Sequence, residues 1–319
     1  MRFIFRTDGS PVIGAGHAMR IFALAEEATL RGIECVLVGS LDGLEWVKES
    51  FNKIGCTVTP THGFDKSRVG DVLILDSYQV SPGEGFITGN DWGLVISIAD
   101  AMTPDYGAHL VFHPGLKSDW FEGEKKNFRS GPRYIPIRKS LMVKTTKSST
   151  QKLKIIIFGG GSDFFGFAEK MAHELTHLSC IESAVFFSTN KSLIEHIDPR
   201  FKVLPFGIDL DEQLKLADLV FTTASTSSLE LIAREIPVAI GCSVDNQNEN
   251  YDALVSAGVA AGIGHRISTG EWNLNSKVIK RLVEDSNFRA QLRRTAGQFI
   301  DLNGAKRIVD EILEQKMVC

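Results

Sequence analysis

His17 is the residue in this sequence best placed to move a proton. It closes the run Phe5-Arg6-Thr7-Asp8-Gly9-Ser10-Pro11-Val12-Ile13-Gly14-Ala15-Gly16-His17. Gly14 and Gly16 let the backbone turn tightly and let a ligand approach closely. An imidazole titrates near neutral pH and serves there as a general base. The alternative is a tight strand-to-helix turn that carries a solvated histidine.

Three other segments carry polar chemistry. Gly159-Gly160-Gly161-Ser162 follows an apolar run and precedes a helical pattern, so its backbone N–H groups and hydroxyl suit a phosphate. It has no Walker A lysine and no G-x-G-x-x-G spacing, which disfavours NAD; a flexible turn is the alternative. Thr222 to Glu230 brings Ser225, Ser227 and Ser228 to a helix start, with Glu230 one turn in. That carboxylate can accept from two vicinal hydroxyls, as on a ribose, or it is a first-turn acid behind an ordinary cap. Asn246 and Gln247 offer amides suited to sugar hydroxyls or N-acetyl groups, or cap the helix that follows. His173-Glu174-Leu175-Thr176-His177 matches the zinc pattern H-E-x-x-H. Its histidines fall opposite the stripe Ala168, Met171, Ala172, Leu175, which argues against a metal site.

The elements that must position these residues alternate. Arg2 to Arg6 reads as a strand, and Ala18, Ile21, Phe22, Ala25 and Ala28 follow at helical spacing until Gly32. Strands are predicted over 33–39, 71–75 and 94–98, delivering Asp76, Tyr78 and Asp100 at strand ends. The alternation restarts with strands over 153–158, 184–187, 201–204, 219–222 and 238–240. Short β-branched runs between helices imply parallel sheets covered on both faces. Ligands in such sheets bind beyond the carboxyl ends of the strands, which places His17, Asp76, Tyr78 and Asp100 near one crevice. The expected fold class is α/β with two Rossmann-like domains: residues 1–138, a polar linker 139–152, and residues 153–319.

The 319 residues carry a formal net charge of −4 and are 43% hydrophobic. No basic run suggests nucleic acid, and no apolar run reaches the roughly 20 residues that span a bilayer. The charged start does not read as a signal peptide. Five scattered cysteines without a C-x-x-C pair fit free thiols in a reducing cytoplasm.

Taken together, these motifs resemble the PseG-type UDP-sugar hydrolases, which are related to the MurG glycosyltransferases. The resemblance is carried by Arg6-Thr7-Asp8 with Ile13-Gly14-Ala15-Gly16-His17-Ala18-Met19-Arg20, and by Asp76-Ser77-Tyr78, Asp100 and Gly131 to Arg138. Gly160-Gly161-Ser162-Asp163, Leu229-Glu230, Asp245-Asn246-Gln247 and Asn303-Gly304-Ala305 extend it over nearly the whole chain. It implies a GT-B-like fold, with two parallel sheets facing across a cleft and the nucleotide in the C-terminal half. It implies His17 as the base that activates water against the anomeric carbon, with inversion. It further implies substrate or nucleotide contacts from Gly14, Gly16, Arg20, Asp76, Tyr78, Gly160, Gly161, Ser162, Ser225, Ser227, Ser228, Glu230, Asn246 and Gln247. The implied substrate is a UDP-linked N-acetylated deoxy sugar of pseudaminic-acid-type biosynthesis. No metal, cofactor, nucleic acid or membrane insertion is expected, and the chain is expected to act as a cytoplasmic monomer. The alternative on the same scaffold is a UDP-sugar-dependent glycosyltransferase of the MurG type. A pure nucleotide-sugar binder has no use for a titratable group at His17.

Overall fold

Alternation along the first strand decides the first layer. In the computed structural model, β1 (Arg2–Thr7) sends Phe3 and Phe5 into one core and Ile4 into another on the opposite face. The structure describes residues 1–100, 103–116, 127–139, 152–160, 163–206 and 210–318. Most of the expected linker 139–152 therefore lies outside the described residues, as do Gly161 and Ser162.

After β1 come α1 (Gly16–Leu30), β2 (Glu34–Val38), α2 (Glu45–Lys53), β3 (Thr57–Thr59), β4 (Val72–Asp76) and α3 (Gly85–Thr88). β5 (Leu94–Ile98), β6 (Leu110–His113) and β7 (Phe128–Ser130) complete the sheet. Its order is β3-β2-β1-β4-β5-β6-β7, with every pairing parallel. The chain reverses direction across the sheet between β1 and β4, the place where open parallel sheets offer a ligand site. There Thr7 is in register with Asp76.

The second sheet repeats the plan. β8 (Leu153–Phe158), α4 (Phe167–Leu175), β9 (Ile181–Phe187), α5 (Lys191–Glu195) and β10 (Phe201–Leu204) form its first half. α6 (Leu210–Lys215), β11 (Leu219–Thr223), α7 (Thr226–Ala233), β12 (Val238–Cys242) and α8 (Asn248–Ser256) follow. β13 (Ala261–Arg266), β14 (Trp272–Leu274), α9 (Ser276–Glu284) and α10 (Ser286–Phe299) end the unit. The order is β10-β9-β8-β11-β12-β13-β14, parallel except for the β13–β14 pair.

The last helix, α11 (Gly304–Val318), departs from the predicted boundary. The two compact units are Met1–Lys139 with Leu302–Cys319, and Ser140–Asp301, whereas the sequence pattern runs the second domain through to 319. Ala305, Ile308, Val309 and Ile312 enter the core that holds Phe3, Phe5 and α1. Glu311 accepts from Arg129 Nε at 2.5 Å and from the Tyr134 hydroxyl at 2.6 Å, which fixes the helix on its side of the boundary. Only glycine fits at 304, because an added Cβ would lie 1.9 Å from the Ile135 carbonyl oxygen.

Candidate functional site

The loop from β1 into α1 is tied before the helix starts. Gly14 N–H donates to the Ser10 carbonyl at 2.7 Å, and Ile13 N–H donates to Ser10 Oγ at 3.1 Å. Gly14 takes φ +87, a conformation that costs a side chain energy. No side chain caps α1, and its first turn holds no acid. His17, the second residue of that helix, is thereby aimed at the end of β4.

There it meets Asp76, the last residue of β4 and 1% exposed. His17 Nδ1 lies 2.6 Å from Asp76 Oδ1. An ionised carboxylate only accepts, so the proton of a neutral imidazole sits on Nδ1 and the lone pair on Nε2. Arg20, one turn along α1, donates to the same acid through Nε and Nη2. Burial opposes ionisation of Asp76, but the Arg20 guanidinium and the hydrogen bonds from Arg20 and His17 prevail and hold its carboxyl below the usual range. Arg20 also lies 3.7 Å from Asp100.

Tyr78 closes the cluster. Its ring meets the His17 imidazole edge-on, with centroids 4.4 Å apart at 84°. Its hydroxyl donates to Asp100 Oδ2 at 2.5 Å. Burial, with Asp100 beside it, pushes the phenol far up, so the hydroxyl stays protonated. The structure thus brings together His17, Asp76, Tyr78 and Asp100, the residues that the strand-end rule places near one crevice, with Arg20 beside them. Asp8 organises the loops behind them: it accepts from Ser40 N–H at 3.0 Å and from Ser77 Oγ at 2.9 Å. The arrangement is an imidazole whose tautomer and direction are set by a buried acid, a geometry suited to a general base.

The second unit collects the nucleotide-side candidates at the ends of β8, β11 and β12. Gly160 takes φ +95, and a Cβ there would stand 3.9 Å from Thr223 Oγ1. That hydroxyl is buried without a hydrogen-bond partner. Ser225 sits at the N-cap of α7 with no side-chain cap bond, and Ser227 in the first turn is half-buried. A glycine turn, an uncapped helix start and an unused buried hydroxyl suit an anion. Glu230 lies in α7 and is 4% exposed. Asn246 is exposed in the short 3₁₀ turn Asp245–Gln247.

Two predicted contacts are engaged locally. Ser228 Oγ donates to the Ser225 carbonyl at 2.7 Å, closing the first turn of α7. Gln247 Oε1 accepts from Ser243 N–H at 3.0 Å and Ser243 Oγ at 2.9 Å, so only its amide N–H groups could serve a ligand as donors. Gly161 and Ser162 lie outside the described residues. The pattern missed Thr223, although the pair Thr222-Thr223 at a strand end was its signal. Asp100 was legible as a strand-end acid, but not as the partner of Tyr78. His173 and His177 are both exposed. Among the described residues, no group of three His, Cys, Asp or Glu could hold a metal ion, and no helix is long and apolar enough to cross a membrane.

With that geometry in hand, the chain can be set beside known proteins. No protein-family model matches it. It is similar to a curated Campylobacter jejuni protein named UDP-2,4-diacetamido-2,4,6-trideoxy-beta-L-altropyranose hydrolase. The two are 24% identical over 270 residues, 81% of this chain and 97% of that protein. Among solved structures, Acinetobacter baumannii MurG aligns with a TM-score of 0.64 at 15% identity, over 98% of this chain and 100% of MurG. A UDP co-structure of Staphylococcus aureus MnaA aligns with a TM-score of 0.67 at 12% identity, over 100% of this chain and 98% of that one. The fold is that of the GT-B glycosyltransferases.

Proposed function

We propose that this protein hydrolyses a UDP-linked, N-acetylated amino or deoxy sugar to UDP and the free sugar. The observation that carries the reading is the 2.6 Å contact from Asp76 Oδ1 to His17 Nδ1, which leaves Nε2 as an oriented base. Nε2 takes a proton from water as the water oxygen bonds to the anomeric carbon. The bond from that carbon to the phosphate oxygen breaks, and UDP leaves with the electron pair. Attack from the face opposite UDP inverts the centre. The name of the Campylobacter jejuni relative supports the substrate class. The Gly160 turn, the Thr223 hydroxyl and the start of α7 support a diphosphate whose developing charge they offset. The reaction needs no metal and no cofactor in this reading, and its place is in pseudaminic-acid-type biosynthesis.

Transfer to an acceptor hydroxyl is the second reading, favoured by the likeness to MurG. The same base would then deprotonate the acceptor instead of water. Incubation with UDP-N-acetylated sugars, without acceptor and with or without EDTA, separates the two. Equal amounts of UDP and free sugar, unaffected by EDTA, are expected. Release of UDP only on addition of an acceptor would overturn hydrolysis in favour of transfer, and release only with magnesium or manganese would overturn the metal-free mechanism.

A further inference from the structure

Asp163 is a buried acid that the mechanism above does not use. It follows the glycine turn after β8 and takes φ +49, left-handed for a residue that is not glycine. It is 7% exposed. Its Oδ1 accepts from Ala168 N–H in the first turn of α4 at 3.1 Å. Its Oδ2 accepts from Ser188 Oγ, just past the end of β9, at 2.9 Å. A Cβ on Gly159 would stand 2.3 Å from Oδ1, so the carboxylate lies directly against the backbone of the turn.

We propose that Asp163 takes up a proton when a nucleoside diphosphate binds at the Gly159–Gly160 turn, so that nucleotide affinity is linked to pH through this residue. The proposal rests on the nucleotide reading given above.

The surroundings suit both protonation states. Ser188 Oγ donates to the carboxylate and can rotate to accept from the carboxylic acid, since Asn190 N–H, at 3.2 Å, uses only one of its lone pairs. Ala168 N–H keeps its acceptor throughout. Glu169 of α4 acts on Asp163 with the same sign; the N–H groups of Ala168 and Phe167 and the Ser188 hydroxyl act against it. Burial is the largest influence and pushes the carboxyl up to about 6. The free protein therefore holds Asp163 mostly ionised at neutral pH. A diphosphate at the turn adds negative charge near an ionised acid that burial already disfavours, and a like charge raises the acid further; a unit charge about 12 Å away at an effective dielectric of about 20 suffices for about one unit. At pH 7 that change corresponds to an uptake of roughly 0.4 proton per nucleotide bound.

Calorimetry of UDP binding to the full chain at pH 7, in two buffers of different ionisation enthalpy, counts those protons. Free UDP titrates identically in every experiment, so a difference from Asp163→Asn reports Asp163 and its coupling to the bound phosphate. Asparagine keeps an oxygen for Ala168 N–H and an amide N–H for Ser188 Oγ. The wild type should take up about 0.4 proton more than the variant. UDP affinity in the variant should also fall less steeply between pH 6 and pH 8. Should Asp163→Asn not fold, Ser188→Ala serves: it removes a donor that favours the carboxylate and should move the uptake maximum to higher pH. UDP binding with equal proton counts, or an unmoved maximum in Ser188→Ala, would overturn the linkage. No UDP binding to the wild type at any pH from 6 to 8 would instead overturn the nucleotide reading, and the linkage with it.

Discussion

Arg20 grips the same carboxylate that holds His17. Its Nε lies 2.7 Å from Asp76 Oδ2 and its Nη2 2.5 Å from Asp76 Oδ1. One acid thus receives a bidentate guanidinium and an imidazole from two successive turns of α1. The guanidinium fixes the plane of the carboxylate, and the carboxylate fixes the imidazole. The carboxyl of Asp76 is held below the usual range, so its ionic contribution is present above the ordinary carboxylate pKa. That contribution is lost only as the pH falls through the lowered value, and the base keeps its orientation into mildly acid solution.

Asp76→Asn tests that orientation. The asparagine amide would donate toward Nδ1, moving the imidazole proton to Nε2 and removing the lone pair that the reaction needs. Turnover should fall by about 10²–10⁴-fold, as for loss of a general base. UDP affinity, measured by calorimetry, should stay within about twofold. Near-normal turnover would show that Asp76 does not set the tautomer.

Glu230→Ala tests the nucleotide end. A carboxylate that accepts from two ribose hydroxyls makes charge-assisted bonds worth about 1.5–3 kcal/mol. UDP affinity should therefore fall roughly 10–100-fold. Circular dichroism and the melting curve should show a folded protein. An unchanged Kd would remove Glu230 from the site.

Asp163→Asn should raise stability at neutral pH. An acid whose folded pKa is raised to about 6 favours the folded state at low pH. That contribution is complete below the ordinary carboxylate value and is lost as the pH rises to about 6. At pH 7 the buried charge is a cost, and relieving it should gain about 1–3 kcal/mol. The gain should vanish below about pH 4. Urea titrations at pH 4 and pH 7 read the difference; a variant no more stable than wild type at pH 7 would show that the charged form is fully compensated.

The local parts of this site were legible because they are contiguous. The glycines at 14 and 16, the helix stripe behind them and the strand-end acid Asp76 are all visible in the chain order. The bond from Asp76 to His17 was not, because 59 residues separate them. Only the crossover that sets β4 beside β1 brings them together, and β2 and β3 lie between them in sequence. β13 was hidden by its glycines: Ala261-Gly262-Ile263-Gly264 lacks a β-branched run, and its pairing with β12 carries a bulge at Ile240/Gly241. Gly262 is required there because a Cβ would stand 2.5 Å from the Tyr251 hydroxyl oxygen. Ala305, Ile308, Val309 and Ile312 form the buried face of α11, but helical spacing does not name the core that such a face enters. That was decided by the close approach of Gly304 to Ile135 and by Glu311 between Arg129 and Tyr134.

His17 carries the last prediction. Its Nδ1 is committed to Asp76 and its ring is walled by Tyr78, so a proton can leave or arrive only through Nε2. His17→Phe keeps a flat ring against Tyr78 and removes both nitrogens; His17→Asn keeps polarity and removes the base. Both should lower turnover by about 10²–10⁴-fold. UDP affinity should remain nearly normal, because the residues proposed for nucleotide binding, Gly160, Thr223, Ser225 and Glu230, belong to the other unit. UDP is a good leaving group once its charge is offset, so one base suffices and no second titrating acid is required. In the proposed reaction, water activated at Nε2 attacks opposite the leaving phosphate, so early proton NMR spectra should show the sugar with the inverted anomeric configuration before mutarotation. A retained anomer at the earliest times would mean that a covalent nucleophile precedes water. Wild-type turnover in His17→Phe would mean that the water is activated elsewhere.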